Sequence, residues 1–157
     1  LISLRNPKRP PHLILLALAI VIVPTTAESI DLCTGGNRAA RKVTCLVDGD
    51  TGWEKGVKWR LLDIDTPETS QAECAAEHAI GKRATIRLQQ LMSGGYTLES
   101  SGRTDRTSDH RELLRVHLVD GRDAGSVLVD EGLAQWWPNK GNRWCENGKS
   151  DTGVGLH

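Results

Sequence analysis

The longest periodic pattern in this chain has helical spacing: Ala72, Ala76, Ala79, Ile80, Ala84, Leu88 and Leu91 recur at intervals of three and four residues. Ser70-Gln71-Ala72-Glu73 offers a capping box ahead of it, and Gly94-Gly95 ends it. A helix of this length must bury its apolar stripe against something. What flanks it has strand character. Residues 41–47 (RKVTCLV) read as a strand stopped at Asp48-Gly49-Asp50, and Thr51-Gly52-Trp53 turns at Glu54-Lys55-Gly56 into a strand over 57–64. Beyond the helix, residues 96–100 read as a strand, and Leu114, Val116 and Leu118 alternate with polar residues in another that turns at Asp120-Gly121. Asp123 is a plausible N-cap for a short second helix that stops at Gly132.

About five strands with one long helix between the third and fourth describe a mainly β protein with helices (α+β). The arrangement expected is an OB-fold, a five-stranded Greek-key barrel whose face and loops often hold oligonucleotides or oligosaccharides. After Pro138 the chain turns to Asn, Gly, Lys and Ser and is expected to be irregular.

The N-terminal stretch reads differently. Arg5, Lys8 and Arg9 precede an apolar run from Leu13 to Val23, followed by Pro24, Thr25, Thr26 and Ala27. The run is too short to span a bilayer, which needs about 20 apolar residues, and reads as a signal peptide over 1–27. The chain opens on Leu1, read either as an upstream truncation or as a non-ATG start. A tail over 28–40, a domain over 41–137 and a C-terminal segment over 138–157 complete the expected organisation. The exported product is expected in the periplasm or secreted, as a monomer without membrane attachment.

Four cysteines follow the leader: Cys33, Cys45, Cys74 and Cys145. An even count in an exported chain favours two disulfides over a zinc site, because there is no C-x-x-C pair and the His residues lack ligand spacing. Of three connectivities, Cys33 with Cys45 and Cys74 with Cys145 is favoured. The first would tie the tail to a strand, and the second would pin the C-terminal segment to a helix.

The whole sequence balances 20 basic against 20 acidic residues. Removing 1–27 takes three basic residues and no acidic one, leaving 17 against 20. A mildly acidic domain cannot capture a polyanion by a general positive field. It would need placed cations or a bound metal.

Ionisable residues concentrate in three segments: VDGDT (47–51), RLLDIDTPE (60–68) and GRTDR (102–106) continuing to His110-Arg111. Singly, each is more simply structural, since Asp-Gly is a hairpin turn and Thr-Pro-Glu a helix entry. Together they offer hard oxygen ligands in Asp50 and Asp65, a nearby carboxylate in Glu68, and forked phosphate donors in Arg60 and Arg111. Asp63 shares strand parity with Asp65 but is most simply a solvated residue. His117 reads as a solvent-facing strand position, and Trp53 and Trp59 as barrel packing.

In this order the three segments, with HRELL and DGRDAGSVLVDEGLA after them, resemble the thermonuclease or staphylococcal nuclease family over about residues 42–137. The exported four-cysteine form is similar to thermonuclease-like proteins of Gram-negative bacteria. The resemblance implies a Ca²⁺-dependent phosphodiesterase (Mg²⁺ being the other candidate) that hydrolyses DNA and RNA to 3'-phosphate ends. It implies that Asp50 and Asp65 supply side-chain metal ligands and Thr66 its carbonyl, with Asp48 close by. Glu68 would be the general base, and Arg60 and Arg111 the catalytic arginines. The chain departs from the family where Asp105-Arg106-Thr107-Ser108-Asp109-His110-Arg111 replaces the shorter Asp-Arg/Lys-Tyr-Gly-Arg. Spacing to Leu113, Leu114 and Val116 favours Arg111 over Arg106, which remains a substrate-binding candidate. Trp136 and Trp137 are candidates for stacking on a base, although tryptophans at a helix end more often pack. The competing classes are a non-catalytic OB module that binds nucleic acid or oligosaccharide, and a disulfide-stapled envelope interaction domain.

Overall fold

The computed structural model describes residues 30–107 and 109–146. The signal segment 1–27, residues 28–29 of the tail and 147–157 of the C-terminal segment lie outside the described residues. The element order is β1 (Cys45–Leu46), β2 (Thr51–Glu54), β3 (Val57–Leu61), β4 (Ile64–Asp65), α1 (Ala75–Met92), β5 (Tyr96–Thr104), β6 (Glu112–Leu118), α2 (Ala124–Asp130), β7 (Gln135–Trp136) and α3 (Arg143–Glu146).

Five strands form one sheet in the order β1-β2-β3-β6-β5, and β4 pairs with β7 in a separate ribbon. All neighbours are antiparallel except β3 and β6, whose parallel register sets Arg60 beside Leu113. A parallel pair requires a long crossover, and here α1 and β5 provide it. The long helix therefore sits between the third and fourth strands of the sheet, as an OB-type fold requires. No helix among the described residues is long and apolar enough to cross a membrane.

The core is small and contains no Phe. Trp59, at 1% exposure, takes the place of a large aromatic and packs with Leu46, Leu61, Leu88, Met92, Val116 and Leu128. Gly52 faces the Trp59 ring so closely that a Cβ would lie 2.3 Å from Cζ2, which explains glycine in the middle of β2. On α1 the buried stripe is Glu77, Gly81, Ala84, Thr85, Leu88 and Met92, while Ala76 and Ala79 face solvent.

Several local expectations shift. The strand expected over 41–47 shrinks to two residues, because 38–42 form a turn in which Arg41 donates to the carbonyls of Thr34 and Gly36. The strand expected over 57–64 breaks at Leu62-Asp63, where Asp63 adopts φ 62°. Asp63 therefore loses strand parity with Asp65 and pairs with Arg115 at 2.6 Å. The helix starts one turn later than the Ser70 capping box implies. Cys74 is the N-cap, its sulfur accepting from the Glu77 N–H at 3.4 Å, so the same x-x-Glu spacing operates four residues downstream.

The disulfides join Cys33 to Cys45 and Cys74 to Cys145. With both sulfurs oxidised, the grouping of Cys74, Glu77 and Cys145 is a disulfide beside a carboxylate and offers no thiolate to a metal. Within the segment expected to be irregular, the one-turn helix α3 packs on α1, and Trp144 is buried beneath it.

Candidate active site

The DGD turn is held by its own first acid. Asp48 Oδ1 accepts from the backbone N–H groups of Asp50 (3.1 Å) and Thr51 (2.9 Å), an Asx turn that fixes the direction in which Asp50 leaves the backbone. Gly49 is required here, since a Cβ would lie 2.7 Å from that of Ala84 on α1. Asp50 is 5% exposed, and both its oxygens are engaged. Oδ1 accepts from the Thr51 hydroxyl at 2.8 Å, and Oδ2 accepts from the Thr66 N–H at 3.2 Å and faces Arg60 at 3.1 Å.

Arg60 projects from β3 and spans two carboxylates, pairing with Asp65 Oδ1 at 2.6 Å as well as with Asp50. Burial works against its charge, yet Asp50 and Asp65 hold its guanidinium above the ordinary arginine range. Asp65 ends β4, and its Oδ2 accepts from Gln135 (3.2 Å) and Asn139 (3.0 Å). Glu68 follows three residues later on an exposed turn that rests against α1. Gly81 makes that approach possible, because a Cβ there would meet the carbonyl oxygens of Pro67 at 2.6 Å and Glu68 at 2.8 Å.

Arg111 approaches from the other side, immediately before β6. Its side chain is 14% exposed, with Nε on Asp105 Oδ2 at 2.6 Å and Nη1 donating to the Thr51 hydroxyl at 3.0 Å. Because that hydroxyl donates in turn to Asp50, Thr51 links the arginine to the acidic cluster. Asp105 also accepts from the Arg111 backbone N–H. Burial pushes the Asp105 carboxyl up, but hydrogen bonds from Thr107 and Arg111 outweigh it and hold the group below its ordinary value. The two extra residues of the loop are taken up by a turn in which the His110 N–H reaches the Thr107 carbonyl and Asp109 pairs with Lys58. Arg111 stands at the entrance of β6, one residue before Glu112.

Of these groups Arg60, Asp65, Asp105 and Arg111 line a cleft of about 700 Å³, with Asp63, Arg103, Arg106, Leu113 and Trp137 among its other residues, while Asp50 lies behind Arg60 and neither it nor Glu68 is part of the lining. Arg106 is exposed at its rim. Trp137 is 57% exposed and borders the cleft, whereas Trp136, equally open to solvent, is not among its lining residues. Within the cluster, negative charge exceeds positive. Asp48 is pushed up to about 7 by burial, then by Asp50 and Glu68, against the hydrogen bonds it accepts. Glu68 is raised by burial and by Asp50, with Arg60 offsetting part of the effect.

Five residues that matter to this geometry carry no obvious local signal as site residues. Thr51 and Asp105 stand inside motifs quoted above but act through long-range contacts. Gln135, Asn139 and the buried Glu77, whose Oε1 accepts from the Glu68 N–H at 3.2 Å, could be found only from the fold. Trp59 proves to be core, and His117 pairs with Glu99 on the outer face of the sheet.

Residues 58–147 match the family described as Staphylococcal nuclease homologue. Among curated proteins, the chain is similar to Endonuclease YncB of Bacillus subtilis (strain 168), with 30% identity over 95 residues, 57% of this chain and 44% of the relative. It is also similar to the SPbeta prophage-derived endonuclease YokF of the same organism, with 33% identity over 76 residues, 48% of this chain and 25% of the relative. The chain thus spans less than half the length of these curated relatives. The family match takes in Arg60, Asp65, Thr66, Glu68 and Arg111 and begins after Asp50, which the fold brings to them across the β2–β3 hairpin. With its matched segment covering more than half of its length, this chain belongs to the staphylococcal nuclease homologue family.

Proposed function

We propose that this protein is an exported, metal-dependent nuclease that hydrolyses phosphodiester bonds in DNA and RNA and leaves 3'-phosphate ends. The observation that carries the reading is one network at the edge of an open cleft: Arg60 joins Asp50 to Asp65, Thr51 ties Arg111 to Asp50, and Arg60, Asp65 and Arg111 line the cleft itself. Relatives named endonucleases support it. The two disulfides support export, since such bonds persist in oxidising compartments.

The donor set fits a hard divalent cation. Asp50, Asp65 and the Thr66 carbonyl offer oxygen only, and two carboxylates share the single guanidinium of Arg60. Ca²⁺, or Mg²⁺, bound there would neutralise that excess and supply an acidified water. The chain's own residues do the rest. Glu68 accepts a proton from the attacking water as its oxygen bonds to phosphorus and the bond to the 5'-oxygen breaks, and the departing oxygen takes up a proton. Arg60 and Arg111 receive the charge gathering on the phosphoryl oxygens, a role suited to rigid forks already held in place. Arg106 and Trp137 sit where the neighbouring nucleotide would lie, one as a backbone cation and the other as a stacking face.

The test incubates the oxidised protein with plasmid, single-stranded DNA and RNA in Ca²⁺, Mg²⁺ or EDTA, beside Arg60→Ala. Cleavage that requires a divalent ion and is lost in the variant is the expected result. Binding without cleavage under every metal would replace the nuclease reading with that of a non-catalytic OB module.

A further inference from the structure

The segment that follows α2 returns to the site, where it touches Asp65 directly and reaches the Glu68 backbone through Glu77. Gln135 and Asn139 donate to Asp65 Oδ2 at 3.2 and 3.0 Å while Arg60 occupies Oδ1, so neither oxygen of Asp65 is free to rotate. Gln135 also donates to the Gly141 carbonyl, and Asn139 Oδ1 accepts from the Gly141 N–H, which stiffens the turn between them. Three residues after Asn139, Asn142 donates to Glu77 Oε2 at 2.8 Å.

Glu77 is the less expected member. It is 4% exposed and has no cationic partner among the described residues. Burying a carboxylate without a counter-charge is costly unless its oxygens are hydrogen-bonded, and three donors meet that need. They are Asn142, the Glu73 N–H at 2.7 Å and the Glu68 N–H at 3.2 Å. The last is the backbone from which the Glu68 carboxylate extends. Cys145, three residues after Asn142, is bonded to Cys74, the N-cap of α1, so the segment is closed covalently onto the helix that carries Glu77.

We propose that residues 135–145, latched by the Cys74 to Cys145 disulfide, act as a positioning strap: Asn139 aims Asp65, and Asn142, through Glu77, sets the backbone of Glu68. This rests on the nuclease reading and deepens it. Groups that orient a metal-binding or catalytic carboxylate from its far side typically affect affinity or turnover about 10- to 100-fold when removed. The second disulfide gives an internal comparison. Cys33 to Cys45 ties the tail to β1 and includes no residue of the strap.

The experiment compares Asn139→Ala, Asn142→Ala, the Cys74→Ser/Cys145→Ser pair and the Cys33→Ser/Cys45→Ser pair in the full oxidised protein. Readouts are kcat and KM on a single-stranded oligonucleotide with Ca²⁺, Ca²⁺ affinity by calorimetry, and amide hydrogen exchange at Glu68 and Glu73. Asn139→Ala is expected to lower Ca²⁺ affinity and kcat about 10-fold and leave Glu68 exchange unchanged. Asn142→Ala is expected to lower kcat about 10-fold with KM within about twofold, and to release the Glu68 amide to exchange. The Cys74/Cys145 pair should show both effects, and the Cys33/Cys45 pair should keep wild-type kcat at a lower melting temperature. Wild-type kcat and Ca²⁺ affinity in both Asn variants, or losses that track melting temperature alone across all four proteins, would overturn the strap. If the wild type cleaves nothing, the nuclease reading fails, while Ca²⁺ affinity and Glu68 exchange still decide whether the strap orients the two acids.

Discussion

The two walls of the cleft are built on opposite principles. The acidic wall, residues 60 to 65 with Asp50 behind them, is over-determined: Asp50 and Asp65 each have both oxygens engaged, and Arg60 is shared between them. The β5–β6 hairpin opposite presents three arginines, of which Arg111 alone is anchored, by Asp105 and Thr51. Arg103 and Arg106 are exposed and make no ion pair among the described residues. Fixed groups suit bond making, where orientation is worth most, and mobile cations suit capture of a polyanion that arrives in many poses. On the proposed nuclease reading, the difference separates chemistry from capture within one cleft.

The sharpest way to break that division is beside the acidic wall. Glu68→Gln keeps shape and burial but cannot take a proton, and kcat should fall about 10³-fold with KM nearly unchanged. A loss in KM instead, measured on a labelled oligonucleotide, would move Glu68 from chemistry to binding. Next in size, Arg111→Ala should lower kcat about 10²-fold, while Arg106→Ala should raise KM only about threefold, as loss of one screened phosphate contact allows. The reverse pattern would make Arg106 the catalytic arginine and show that the lengthened loop had reassigned the role. On the rim, Trp137→Ala should weaken single-strand binding by about 1 to 3 kcal/mol and Trp136→Ala should change it little. Fluorescence titration distinguishes the two.

A separate set of effects concerns stability rather than turnover. Each disulfide in a small exported domain contributes about 2 to 5 kcal/mol. Cys74 to Cys145 spans a sequence separation of 71 against 12 for Cys33 to Cys45. Loop-closure entropy alone makes the longer bridge worth about 1.5 kcal/mol more. Denaturant melts of the two serine double variants measure the difference, and equal losses would mean that strain or residual unfolded-state structure offsets the entropy.

Legibility in the sequence follows the range of the interaction. The long helix announces itself because Ile80, Ala84 and Leu88 lie one turn apart, and β6 through Leu114, Val116 and Leu118. Both signals are local. Strand β7 and helix α3 are too short for any period, and their existence depends on β4 and on the Cys74 to Cys145 bridge. The site divides in the same way. Asp48, Asp50, Arg60, Asp65 and Glu68 fall in two contiguous motifs, and residue type and spacing declare them. Glu77 looks like any acid in a first helical turn, yet burial and the Glu68 amide give it its place. Asn139 sits in a stretch that reads as irregular and becomes informative only when the fold sets it against Asp65.

On the proposed function, the acidic wall, completed by a divalent cation, would hydrolyse phosphodiesters toward 3'-phosphate ends. End-group analysis of an oligonucleotide cut by the oxidised protein tests it directly, run with Ca²⁺, with EDTA and with Glu68→Gln. The account predicts 3'-phosphate and 5'-hydroxyl ends with Ca²⁺ and no product in the other two. Equal cleavage by Glu68→Gln, cleavage that survives EDTA, or 5'-phosphate ends would contradict it.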